Sequence, residues 1–139
     1  MAPSGRITLG GEMAEEIRFR GTFPGTPLGV AAARGEVEAV ARDCGMDGLA
    51  LGAVKLAVNE AVTNAVVHAY AQNEGRISVT VELAGKELAI TVADTGGGLL
   101  PRADSPGLGM GLPLIAQLTE RIDVRSDDGG TEIRMWFRR

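Results

Sequence analysis

Between Leu51 and Ala65 the apolar residues Leu51, Val54, Val58, Ala61, Val62 and Ala65 recur at three- and four-residue intervals, the spacing of one face of an α-helix. Asp47 is placed to cap that helix, and the pattern predicts that it continues to about Ala69. A helix with so continuous an apolar stripe must lie against another layer. Within it stand two polar residues four positions apart, Glu60 and Asn64, whose side chains project about 40° from each other on the helix surface. Leu56, Ala57 and Val67 share their arc, whereas Lys55, Asn59 and Thr63 lie on a different side that reads as the solvent face. Polar groups beside an apolar arc cost on the order of 1–3 kcal/mol each when left unsatisfied. Two readings of the pair stay open on these residues alone: a general base beside a metal ligand, or an internal polar pair with only a structural role.

The rest of the chain supplies a sheet for this helix to cover. Glu15–Phe23 reads as a peripheral strand. Thr26-Pro27 offers a hydroxyl N-cap and a proline at the first helical position; Val30, Ala33, Val37, Val40 and Ala41 keep helical spacing, and Gly45 ends the run. Ile77, Val79, Val81 and Leu83 alternate with polar residues, as do Leu88, Ile90 and Val92, across the turn Ala84-Gly85-Lys86-Glu87, which predicts a hairpin with one covered face. The segment Gly96–Gly111, rich in glycine and carrying two prolines, reads as a loop, followed by a short helix over Leu112–Glu120. Ile122 with Val124, then Ile133, Met135 and Phe137, give two more strands around Asp127-Asp128-Gly129-Gly130. The fold class expected is α+β: a two-layer α/β sandwich with a mixed, mostly antiparallel sheet covered on one face by about three helices. Residues 1–14 read as a loose lead-in and 15–139 as a single domain.

Three further boxes follow the helix in order. Asp94-Thr95-Gly96-Gly97-Gly98 closes an apolar strand. Asp94 there has two readings, a carboxylate that accepts from the exocyclic amine of adenine or the local acceptor of an Asp-Gly turn. Gly107-Leu108-Gly109-Met110-Gly111-Leu112 precedes the short helix, where bare backbone N–H groups and the helix dipole can hold phosphate oxygens. The spacing is neither the dinucleotide fingerprint nor a P-loop. Gly130-Thr131 opens the last strand.

In the order E-x-x-x-N, D-x-G-x-G, G-x-G-x-G-L, G-T the chain resembles the GHKL ATPase superfamily, which includes histidine-kinase nucleotide domains. The wording of the boxes, Glu-Ala-Val-Thr-Asn-Ala-Val-Val-His-Ala-Tyr and Gly-Leu-Gly-Met-Gly-Leu-Pro-Leu-Ile, is similar to the anti-sigma factor serine/threonine kinases of bacterial partner switching. The resemblance covers about residues 19–138 and implies a Bergerat-type fold that binds ATP with Mg²⁺. Residue by residue, it implies Glu60 as general base and Asn64 as the Mg²⁺ ligand. Asp94, with Gly96 and Gly98, takes the adenine role; Gly107, Leu108, Gly109, Met110, Gly111 and Leu112 form the phosphate box, and Thr131 lies near the base. It further implies two protein partners, a sigma factor and a STAS-type anti-sigma-factor antagonist that would be phosphorylated, and a homodimer. The eight residues between Gly98 and Gly107 make a shorter lid than such kinases carry, which keeps a non-catalytic, ATP-dependent partner-binding module as the alternative. Arg102, the only arginine in that loop, reads as a solvated lid residue, with a contact to the γ-phosphate as the other reading. His68, the only histidine, belongs to the same helix as Asn64 and reads as a packing residue or as one that supports the site from behind its direct contacts.

Composition excludes other classes. A net charge of −4 argues against a nucleic-acid binder that works by neutralising phosphates. With one cysteine, Cys44, and one histidine, neither an intramolecular disulfide nor a usual zinc site can form; an oxygen-ligated ion such as Mg²⁺ is the metal this composition suits. Without an apolar run of membrane length or a basic-then-apolar start at Met1–Gly10, a cytoplasmic protein with no membrane or direct nucleic-acid contact is expected.

Overall fold

The computed structural model describes residues 15–72, 75–94, 108–127 and 130–139, with the side chains of 15, 66–72, 108–110 and 127 outside that description. Its elements run β1 (Glu15–Pro24), α1 (Pro27–Asp43), α2 (Gly48–Gln72), β2 (Arg76–Ala84), β3 (Glu87–Asp94), α3 (Leu108–Leu118), β4 (Arg121–Asp127) and β5 (Gly130–Arg138). The five strands form one sheet in the order β1-β2-β3-β5-β4. Every pairing is antiparallel, so the mixed sheet expected from sequence is wholly antiparallel here. For two of the four pairings the reason is local: β2–β3 and β4–β5 are tight hairpins, and tight turns can join only antiparallel strands.

Local signals account for most element ends. Thr26 caps α1, its hydroxyl accepting from the Gly29 N–H at 3.1 Å, with Pro27 in the first turn. The α1–α2 connection passes through Gly45 at φ +93°, a left-handed conformation that glycine adopts without penalty. Gly29 is fixed by contact instead. A Cβ there would lie 1.8 Å from the Pro24 carbonyl oxygen, so α1 can dock against the end of β1 only with no side chain at that position.

The core lies between the helices and one face of the sheet. Val37, Ala41, Val54, Val58, Ala61 and Val62 of the helices meet Ile77, Val79, Val81, Leu88, Ile90, Val92, Met135 and Phe137, all at most 3% exposed. Burying a Val, Leu or Ile side chain contributes roughly 1.5–3 kcal/mol, so this interdigitated layer dominates the stability. The opposite face is polar. There Trp136 is flanked by the guanidinium groups of Arg121 at 4.6 Å and Arg134 at 5.0 Å, and these pair with Glu87 and Glu82.

One boundary departs from expectation. Gly109 and Gly111 lie inside α3, which begins at Leu108, and do not precede it as a loop. Pro113 falls in the second turn; lacking an N–H, it leaves the carbonyl of Gly109 without its intrahelical donor. Packing of α3 on α2 outweighs the weak helix propensity of the two glycines.

Candidate nucleotide-binding site

Two groups of polar side chains break into the core. The first is on α2. Asn64 is 5% exposed, and its Nδ2 has no hydrogen-bond partner among the described residues. A half-turn of the carboxamide exchanges its nitrogen and oxygen, so the end without a partner can equally be an acceptor. One turn earlier is Glu60, partly exposed. Gly111 of α3 faces both: a Cβ at that position would lie 3.0 Å from Asn64 Nδ2 and 3.2 Å from Glu60 Oε1. A helix carrying any side chain at 111 would fill the space in front of the carboxylate and the amide. The glycine thus keeps a cradle open beside a buried amide whose Nδ2 has no partner among the described residues.

The second group lies at the end of the sheet. Asp94, the last residue of β3, is 5% exposed, and Thr131 of β5 is 6% exposed. The two are directly paired across the ladder. Both follow the alternation of Val92 and Ile133 and therefore face the helix layer. Thr131 is paired on its other side with Ser126 of β4, and their hydroxyls are 3.1 Å apart. A carboxylate and two hydroxyls consequently form one row across three strands, on the face that α2 covers.

The structure thus brings Glu60, Asn64 and Gly111 together, and Asp94 with Thr131. Gly96, Gly98, Gly107 and Arg102 lie outside the described residues. Leu108, Gly109 and Met110 are in the first turn of α3, with Leu112 following, half-buried. His68 is on α2, its side chain outside the description. Among the described residues no three His, Cys, Asp or Glu side chains converge as a metal cage. A groove of about 650 Å³ between α1 and α2, bordered by Arg34, Gly35, Gly52, Leu56 and Asn59, does not include any of the site residues.

Two features escaped the sequence reading. Arg34 of α1 donates to Asn59 Oδ1 at 2.7 Å, so Asn59 ties the two helices together on what reads as a solvent face; nothing in the spacing announces a contact between residues 25 positions apart. Ser126 could have been found, because a tight turn at Asp127–Gly130 places 126 opposite 131.

The fold is thus a two-layer sandwich with a buried carboxamide behind a glycine-bearing helix and a carboxylate at a strand end. Residues 23–137 match the model of the histidine kinase-like ATPase domain, and the chain belongs to that family. It is similar to the anti-sigma F factor of Clostridium acetobutylicum, 35% identical over 94 residues that make up 59% of this chain and 66% of that protein. It is likewise similar to the anti-sigma F factor of Pasteuria penetrans, 36% identical over 96 residues, 59% of this chain and 64% of that one. The matches therefore span slightly under two thirds of those relatives. Among solved structures, the RsbU and RsbW domains of a Mycobacterium tuberculosis protein superpose with a TM-score of 0.70 at 24% identity, over 86% of this chain and 31% of that chain. The histidine kinase domain of a blue-light activated kinase from Erythrobacter litoralis superposes at 0.57 and 22% identity, over 78% and 60%. At such identities these two structures speak to the fold.

Proposed function

We propose that this protein is an ATP-binding anti-sigma factor with serine/threonine protein kinase activity. It phosphorylates a STAS-type antagonist and, in the alternative complex, sequesters a sigma factor. The observation that carries the reading is the meeting of Glu60, Asn64 and Gly111: a carboxylate and a buried amide, its nitrogen without a partner among the described residues, kept clear by a missing side chain. The likeness to anti-sigma F factors supports the choice of partners. In this reading the protein acts in the cytoplasm; separately, no helix among the described residues is long and apolar enough to cross a membrane.

In this reading Asp94 accepts from the adenine amine, and the N-terminal turn of α3 faces the triphosphate with bare backbone. Asn64 would hold a Mg²⁺ together with water and phosphate oxygens, the donor set that ion prefers; when bound, it would neutralise charge on the phosphates. Glu60 takes the proton from the attacking Ser or Thr hydroxyl. The hydroxyl oxygen bonds to the γ-phosphorus as the bond to the β,γ-bridging oxygen breaks, and ADP leaves. Such proton removal contributes ~10²–10⁴-fold.

The test is Glu60→Gln, which keeps shape and loses the base. ATP should still bind, while labelled phosphate no longer reaches the antagonist protein; transfer at the wild-type rate would remove Glu60 from the role. Wild-type protein that binds ATP saturably but never labels the antagonist would be a partner-binding module instead.

A further inference from the structure

Local sequence and backbone conformation disagree at the start of α3. Residues 108–112 are helical, yet Gly109 and Gly111 rank among the poorest helix formers, and Pro113 follows inside the helix. In α-helical pairing each N–H donates to the carbonyl four residues back. That pairing offers Leu112 to Leu108, Leu114 to Met110 and Ile115 to Gly111, but Pro113 has no proton for Gly109. One backbone hydrogen bond therefore ties Leu108 and Gly109 to the rest of the helix. The core contacts of α3 come from Leu112, Ile115 and Leu118, all beyond Gly111, so releasing the first turn leaves the docked part in place.

The turn faces a group suited to a ligand. Gly111 lies against Asn64 and Glu60, and Asn64, 5% exposed, has an Nδ2 with no hydrogen-bond partner among the described residues. Where a segment beside a binding site adopts a conformation that its own residues disfavour, low local stability serves the site. We infer that Leu108–Gly111 is a two-state turn, helical or released, that a triphosphate favours the released form, and that Pro113 is a positioning residue which keeps release easy. This rests on the reading that the N-terminal turn of α3 faces the triphosphate. A helix aims its first N–H groups along one axis. A released Gly109–Gly111 backbone can reach the conformations of an anion-binding nest, which glycine allows without penalty, and release adds the Leu112 N–H to the donors.

Pro113 is exposed, so Pro113→Ala removes no core contact while it restores a donor to the Gly109 carbonyl. The helical form gains one neutral hydrogen bond, about three- to tenfold in the balance between the two forms, and the apparent affinity falls as the competent form is depleted. Calorimetric titration of the full chain should show Mg-ATP binding about three- to tenfold weaker, while the melting temperature rises by about 3–6 °C. Pro113→Gln, a second helix former that restores the same N–H, should do likewise. In the wild type, the Cα chemical shifts of Leu108, Gly109 and Met110 should lose their helical offset on addition of Mg-ATP; in Pro113→Ala they should lose it only at higher nucleotide concentration. Wild-type affinity in both variants overturns the inference, as does a variant both less stable and weaker in binding, the sign of a merely structural proline. Helical shifts that persist in wild type saturated with Mg-ATP overturn it too and leave the nucleotide reading intact. A wild type that binds no Mg-ATP takes down that reading, and the inference with it.

Discussion

Gly111→Ala separates folding from binding. An added Cβ would meet Asn64 Nδ2 at 3.0 Å, Glu60 Oε1 at 3.2 Å and Asn64 Oδ1 at 3.6 Å. Ordinary contact at 3.4 Å or more requires the amide to retreat by about 0.4 Å and the carboxylate by about 0.2 Å, shifts that side-chain ends accommodate for little energy. The backbone gains: alanine in a helix interior is better than glycine by about 0.8–1.0 kcal/mol. The two effects nearly cancel, and the variant should melt within about 4 °C of wild type. Binding has no such compensation. The methyl occupies the space in front of both polar groups, and one lost hydrogen bond to a charged ligand costs about 1.5–3 kcal/mol, so Mg-ATP affinity should fall roughly ten- to a hundredfold. Differential scanning fluorimetry paired with calorimetric titration reads both quantities on one sample. A well-folded variant with wild-type affinity would refute the placement of the nucleotide between α2 and α3.

Three other perturbations follow from the same geometry. Gly29→Ala sets a methyl 1.8 Å from the Pro24 carbonyl oxygen, a backbone atom that cannot turn aside; a loss of at least about 2–3 kcal/mol in urea unfolding is expected, and a variant as stable as wild type would show that α1 need not dock there. Asn64→Leu, close to isosteric, removes a buried amide whose nitrogen has no partner among the described residues and should raise stability by about 1 kcal/mol while abolishing Mg²⁺-dependent nucleotide binding; lowered stability would mean that the amide is satisfied in the apo protein. Burial pushes the pKa of the Cys44 thiol above its ordinary range, so the folded state holds that proton more tightly than the unfolded chain. Its stabilising share is whole below the range in which the unfolded thiol titrates and drains away as pH rises through the higher folded value. The melting-temperature gap between wild type and Cys44→Ala should therefore narrow on the alkaline side, and a constant gap would contradict the shift.

Periodic and capping signals act over a few residues, and what they control was legible in the chain. The α2 stripe from Leu51 to Ala65 is buried throughout, Thr26 caps the helix it precedes, and the Ala84–Glu87 turn joins two antiparallel strands. Glu60 and Asn64 share a helix face because four residues make slightly more than a turn, and Asp94 ends its strand where the alternation stops. Packing alone determined the rest. Whether Gly109 and Gly111 lie before a helix or inside it depends on the surface of α2 that α3 meets, since isolated propensity argues against them. The strand order that sets β5 between β3 and β4 brings Asp94, Thr131 and Ser126 into one row, and the Arg34–Asn59 bond joins residues far apart in the chain. A local rule sees the conformation of a segment. The open space in front of Asn64 exists only because a second segment arrives there without a side chain, and no segment carries the address of another.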